Sequence, residues 1–258
     1  MRRWLLIAGF SLVAGPALAQ MSGNVDRLKA DLHGENLDRA VAAASALGSL
    51  KTPPARDALV GALQLGCPPK LLTALLEALG QHKSDDTIPL LKLFAHNRTP
   101  EIRVAALQAL GRNESPQTVG PLIDALGDSN PMVRASAARM LGDRQEKRAE
   151  SALFMLVKRK DVSAAAPLGK VAGVETAKNL GELIGEVPDR AIALAYGEML
   201  KRKEFGPDPL RMQIVKALGK LPGSDATTAL VEYIASVPPK DIRLSKKMAE
   251  RLLAGRQK

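Results

Sequence analysis

Leucine–glycine pairs recur at a nearly fixed spacing, and that spacing limits what the chain can fold into. They stand at Leu47-Gly48, Leu79-Gly80, Leu110-Gly111, Leu141-Gly142 and Leu218-Gly219, and Ala172-Gly173 continues the series. Successive glycines lie 32, 31, 31, 31 and 46 residues apart. A period of this length marks a repeat architecture, in which one unit cannot bury its apolar face alone and stacked neighbours share a core.

Registering the chain on the glycines shows what each unit contains. Positions nine, five, two and one before the glycine form one helical stripe, as in Leu71, Leu75, Ala78 and Leu79, or Ile102, Ala106, Ala109 and Leu110. Eleven and fifteen after the glycine lie Leu59 and Leu63, Leu91 and Ala95, Leu122 and Leu126, Leu153 and Val157, Ile184 and Pro188, Leu230 and Ile234. That pair is the apolar stripe of a second helix. Each unit therefore reads helix A, turn, helix B, turn. Thr99-Pro100-Glu101 and Asn130-Pro131-Met132 place a cap residue and then proline at the first helical position. Each glycine suits the left-handed residue that closes a helix. No segment alternates with period two, so no sheet is expected.

Pro100 to Gly111 reads P-E-I-R-V-A-A-L-Q-A-L-G, and Pro131 to Gly142 reads P-M-V-R-A-S-A-A-R-M-L-G. These segments resemble the second helix of a HEAT-like repeat of the phycobilisome-lyase type. The resemblance covers about residues 24 to 237. It implies an all-α fold, a right-handed α-solenoid of stacked antiparallel helix pairs. The pattern departs at 158–173, where Pro167 interrupts helix B, and at 188–206, where about fifteen residues are added. Asp189 to Lys203 reads as an extra helix there, which would shift the A/B alternation and put the B-type segment ending at Gly219 into the A layer. A long loop with the alternation preserved is the rival. Three helices between Gly173 and Gly219 support the shift, and two refute it.

The organisation expected is a signal peptide over 1–19, a HEAT-like array over 20–187, irregular C-terminal repeats over 188–239 and a basic C-terminal helix or tail over 240–258. Arg2 and Arg3 precede the apolar run Trp4 to Val13, which is too short to span a bilayer, and Ala17-Leu18-Ala19 has the small-x-small cleavage pattern. Export to a periplasm is expected, with secretion as the alternative. Removing 1–19 leaves 35 Lys and Arg against 27 Asp and Glu, a formal charge of +8. Such a balance favours anionic partners.

Catalytic patterns are missing. His33, His82 and His96 are followed by Gly34, Lys83 and Asn97, so there is no His-Glu dyad of the kind that holds iron in hydroxylases of this repeat type. No two histidines have i,i+3 or i,i+4 spacing, and Cys67 has no neighbouring ligand type. Cys67 precedes Pro68 and Pro69 near a helix start, a place that lowers a thiol pKa. There is no G-x-S-x-G, Walker loop or G-x-G-x-x-G. The only aromatics after residue 19 are Phe94, Phe154, Phe205, Tyr196 and Tyr233, too few for base stacking. The reading is a non-enzyme with no catalytic residues, metal or cofactor. The rival is a HEAT-like enzyme of lyase or glycosylase type.

Binding residues follow from the register. Arg103, Arg134 and Arg211 sit eight before their glycines. They form either a basic ladder for a ligand or a structural ladder paired with the adjacent turn, as with Asp128, and the resemblance implies the structural role. Gly80, Gly111 and Gly142 are structural repeat residues with them. Three before the glycine, the residue turns basic along the chain, so Arg139, Lys170 and Lys216 are the expected ligand-facing residues. The function expected is a protein-binding scaffold or adaptor in the cell envelope. The alternative partner is an anionic polymer or lipid head group; nucleic acid is disfavoured.

Overall fold

The computed structural model describes residues 15–256, and the side chains of 23–256. Arg2, Arg3 and the run Trp4 to Val13 lie outside the described residues. Fifteen α-helices and five short 3-10 turns make up the regular structure among the described residues. The only strand-like pairing among them is an isolated bridge between Ile184 and Val187. The chain divides into two compact units, Met1–Lys83 and Ser84–Lys258.

The first unit holds α1 (Gly15–Leu32), α2 (Leu37–Leu50), α3 (Pro53–Leu65) and α4 (Pro69–His82). α1 and α3 form one layer, and α2 and α4 the other. Leu47, Leu59, Leu75 and Leu79 are fully buried between them. Asn36 caps α2 by accepting from the Arg39 N–H at 3.0 Å.

The second unit continues the same grammar with α5 (Ile88–Phe94), α6 (Pro100–Arg112), α7 (Val119–Asp124), α8 (Pro131–Asp143), α9 (Glu150–Lys158) and α10 (Ala165–Val171). α11 (Val174–Glu182), α12 (Asp189–Lys201), α13 (Asp208–Lys220), α14 (Ser224–Ser236) and α15 (Leu244–Arg256) complete it. α6, α8, α10, α12 and α14 pack in succession as one layer, with the odd-numbered helices on the other side. Short 3-10 turns precede α5, α7, α9 and α10, and Pro167 sits in the first turn of α10, where a missing N–H costs no helical bond.

Three helices, α11, α12 and α13, lie between Gly173 and Gly219, so the alternation shifts. α13 carries the B-type sequence yet packs on α11 and α15, while α12 joins α10 and α14 in the opposite layer. α11 differs from the register. Ile184 and Pro188 are exposed, and the nine-residue helix buries Ala177 and Leu180 instead, because it ends before the expected stripe begins. α15 seats Ala249 and Ser245 against α13 and α14. Arg256 secures its end by donating to the carbonyls of Leu218 at 2.8 Å and Leu221 at 2.7 Å.

The repeat glycines do not supply a left-handed turn. Gly48, Gly80, Gly111, Gly142 and Gly219 lie inside their helices. Left-handed residues come three places after Gly48, Gly80 and Gly142, at Lys51 (φ 52°), Lys83 (φ 51°) and Gln145 (φ 51°). The glycines serve close approach. A β-carbon at Gly48 would lie 2.9 Å from Ala78 Cα, and one at Gly142 would lie 2.8 Å from Pro167 Cα. At Gly219 the nearest atom is the flexible tip of Leu252, at 2.7 Å.

This contrast predicts opposite outcomes for one chemical change. Gly→Ala in a helix interior ordinarily stabilises by roughly 0.5–1 kcal/mol. Gly142→Ala must move backbone, so a net loss of about 1–3 kcal/mol is expected. Gly219→Ala displaces a side-chain tip and should leave the thermal midpoint within a degree or two or raise it. Thermal unfolding of the two variants checks this.

Candidate binding face

The arginines eight before the glycines join neighbouring repeats. Arg103 donates through Nε and Nη2 to both carboxylate oxygens of Asp128, each at 2.8 Å, and through Nη1 to the Asn97 carbonyl at 2.9 Å. Arg134 repeats the arrangement with Asp161 at 2.8 Å and the Asp128 carbonyl at 3.0 Å. The two aspartates also accept from backbone N–H groups of the next turn, those of Asn130 and Ser163. Each carboxylate thus fixes the turn between helices A and B and holds the preceding B helix, and Asp161 also caps the 3-10 turn before α10. Arg211 is 3% exposed and donates to the carbonyls of Leu200, Arg202 and Lys203, and among the described residues it forms no ion pair. These three side chains are committed to the fold.

Burial raises the pKa of Asp128 and Asp161, but hydrogen bonds from the arginines and from the following turn outweigh it. Both carboxylates are held below their ordinary value.

The expected ligand-facing residues do not share one face. Arg139 on α8 is exposed, and Lys170 on α10 is half-buried and pairs with Asp143 at 2.7 Å. Lys216 is exposed on α13, which the phase shift has moved to the opposite layer. The solvent side of the layer α6, α8, α10, α12 and α14 is laced by further cross-helix pairs. Lys201 bridges Glu198 at 2.8 Å and Glu232 at 2.7 Å, and Arg190 lies 3.8 Å from Asp225. A shallow cleft of about 170 Å³ between α12 and α14 is lined by Leu194, Glu198, Lys201 and Glu232. Lys170, Lys201 and Arg190 are thus met by carboxylates, while Arg139 forms no ion pair among the described residues. Met132 at the start of α8, 54% exposed, and Val231 on α14, 50% exposed, are large apolar side chains of this layer.

Two of the three histidines are held by backbone carbonyls. His82 places Nε2 3.1 Å from the Leu47 carbonyl, and burial pushes its pKa down. His96 holds the Lys92 carbonyl through Nδ1 at 2.9 Å. His33 lines a cavity of about 240 Å³ with Cys67. The helix start does not activate that thiol, since burial pushes its pKa up. Among the described residues, no three His, Cys, Asp or Glu side chains group as a metal site would need, and no helix is long and apolar enough to cross a membrane.

Sequence reasoning missed Arg144, Arg202 and Arg256, which reach back to an earlier turn. Arg144 donates to Thr118 Oγ1 at 2.6 Å, and Arg202 to the Ala172 carbonyl at 2.6 Å. The available signal was an arginine at or just past a helix end, as Arg256 closes α15 and Arg144 and Arg202 follow α8 and α12.

The sequence matches the HEAT repeats family over residues 89–168 and the PBS lyase HEAT-like repeat over residues 40–64. Residues 40–64 and 89–168 are thus HEAT-type repeats. The first match spans α5 to α10 in the second unit, and the other spans α2 and α3 in the first. Among solved structures, this chain is similar to the CpcE–CpcF complex of phycocyanin lyase from Nostoc sp. PCC7120, at 17% identity and TM-score 0.48, covering 97% of this chain and 99% of that one. It is also similar to human deoxyhypusine hydroxylase, at 19% identity and TM-score 0.43, covering 93% and 99%. An engineered protein matches at 18% identity and TM-score 0.43, covering 92% and 79%. No curated protein sequence matches it.

The two units should differ in acid sensitivity. Below about pH 6.5 the unfolded chain takes up a proton that folded His82 resists, so stability in the first unit falls as pH drops through that window. Asp128 and Asp161 have depressed folded pKa values. Their contribution stays intact until pH nears the unfolded value of about 3.9 and is lost below it. Hydrogen exchange should show α4 losing protection between about pH 7 and 5.5 while α8 keeps it. His82→Gln should remove the first effect.

Proposed function

We propose that this chain is a non-catalytic scaffold or adaptor that docks a protein on the solvent side of the layer α6, α8, α10, α12 and α14. The carrying observation is charge cancellation. Asp143 answers Lys170 and Glu232 answers Lys201 across neighbouring helices, and Glu198 answers Lys201 within α12. A polyanion meets little net field on such a surface, whereas a protein partner can interleave its own charges with the pairs. Small residues such as Ala135 and Ala166 between the pairs leave a low relief, with Met132 as an apolar anchor. HEAT repeats commonly mediate protein interactions through extended helical faces. The elevated thiol pKa of Cys67 and the structural hydrogen bonds of His82 and His96 support the non-catalytic reading.

The apolar run after Arg2 and Arg3, with Ala17-Leu18-Ala19 behind it, supports delivery to the cell envelope. A second reading, an anionic polymer or lipid head group as ligand, draws on a cavity of about 340 Å³ beyond α12. Its lining has five cations against Glu204 and Asp241. Arg202, Arg211 and Arg243, however, already donate to carbonyls or to Asp241.

Photo-cross-linking in the native envelope separates these readings. A benzophenone side chain at Met132 or Thr228 should yield a protein adduct, from a mature chain beginning at Gln20. The adduct should survive a rise from about 50 to about 300 mM salt, which shortens the reach of exposed charges. Adducts only from Met155 in the opposite layer, or adducts that vanish with salt, overturn the proposal.

A further inference from the structure

The displacement of α13 into the odd-numbered layer creates a surface that the repeat pattern does not anticipate. α13 and α15 run side by side there. They meet closely where Gly219 faces Leu252, and Asp208 ties the start of α15 by accepting from the Leu244 N–H at 3.0 Å. Between them lies a groove of about 360 Å³ whose floor is Met212, Leu244, Met248 and Leu252. Leu244 remains 61% exposed, and its neighbour Ile242 is 77% exposed.

Two cations line this groove, and two more stand on the exposed surface of α13 beyond Met212. Lys216 and Lys220 follow Met212 at i+4 and i+8 on α13, and Lys247 and Arg251 line the groove from α15. The side chains of these four make no hydrogen bond or ion pair among the described residues, unlike Lys170, Lys201, Arg103 and Arg134. Asp208 holds the start of α15 and Asp241 holds Arg243 at 2.9 Å, while Glu250, three residues after Lys247, forms no ion pair among the described residues.

The geometry points to this groove as a docking site for a short acidic amphipathic helix, supplied by a protein partner. Its apolar side would lie on the Leu and Met floor, and its carboxylates would meet Lys216 and Lys220 on one bank and Lys247 and Arg251 on the other. Two methionines let the floor adapt to different apolar side chains. From Leu244 to Leu252 is about two helical turns, roughly 12 Å, so two to three turns of partner suffice. A second copy of this chain does not fit, because the same cations would face one another. A flat lipid surface fits less well than a helix, because the floor is recessed between two helices.

The probe is a fluorescein-labelled peptide of about 14 residues, with leucines at i, i+3, i+4 and i+7 and glutamates elsewhere. Its controls are a scrambled peptide and one with lysine in place of glutamate. Anisotropy should show saturable binding of the acidic helix alone. Lys247→Glu with Arg251→Glu should weaken it at least about tenfold, and Met248→Glu by a similar factor. Lys247 and Arg251 are exposed, so their variant should fold like the native chain by circular dichroism. Equal affinity for native and variant proteins, or for the scrambled peptide, overturns the inference. So does absence of peptide binding, including the case in which the protein sediments with phosphatidylserine vesicles through the same residues. Cross-links from Met132 and Thr228 report the other face, so either surface can fail alone.

Discussion

Consecutive helices of one layer approach so closely that some positions have no room for a β-carbon, and the rest of the structure depends on that approach. At Gly48 and Gly142 the space is taken by the backbone of the next helix in the layer. At Gly169 a β-carbon would meet the Ala195 carbonyl oxygen. With helices this near, alanines such as Ala106, Ala109 and Ala137 suffice to fill the interior, and leucines such as Leu110 and Leu141 close it. A single helix pair has too little apolar surface to be stable alone, so the approach also makes the repeats interdependent.

The electrostatic arrangement follows from the same spacing. Arg103 and Arg134 reach the aspartate of the following A–B turn because the next repeat lies close behind them. The geometry is bidentate at Asp128, and both members of that pair are largely shielded from water. Pairs on the solvent side are more exposed and individually weak. Their consequence is functional: they remove net charge from the face that α8, α10, α12 and α14 present. Where the alternation shifts, this cancellation stops, and Lys216, Lys220, Lys247 and Arg251 remain beside an apolar groove.

Much of this was legible in the residues. The register on the glycines located stripes such as Leu59 and Leu63 or Val133, Ala137 and Leu141 but failed at Ile184 and Pro188, and the added helix at 189–201 showed as a break in the spacing. The role of the glycines was not legible, since a glycine near a helix end suits a left-handed turn and a close contact equally well. Arg144, Arg202 and Arg256 escaped notice because their acceptors are a hydroxyl and backbone carbonyls, which leave no mark in side-chain spacing. The groove escaped because its walls come from helices about thirty residues apart and Met212 lies outside the repeat stripe. Lys216 was expected beside Arg139 and Lys170, and only the layer assignment of α13 separates them.

That layer assignment governs every statement about which residues share a face, and it has a direct chemical test. A β-carbon at Gly197 on α12 would lie 3.1 Å from that of Ala229 on α14. That is close enough for a disulfide after a slight adjustment. Gly197→Cys with Ala229→Cys, in a chain whose Cys67 is replaced by serine, should oxidise to an intramolecular disulfide that shifts the mobility of the unfolded chain. Two thiols that stay free under mild oxidant would mean that α12 and α14 are not neighbours in one layer, and the account would fail.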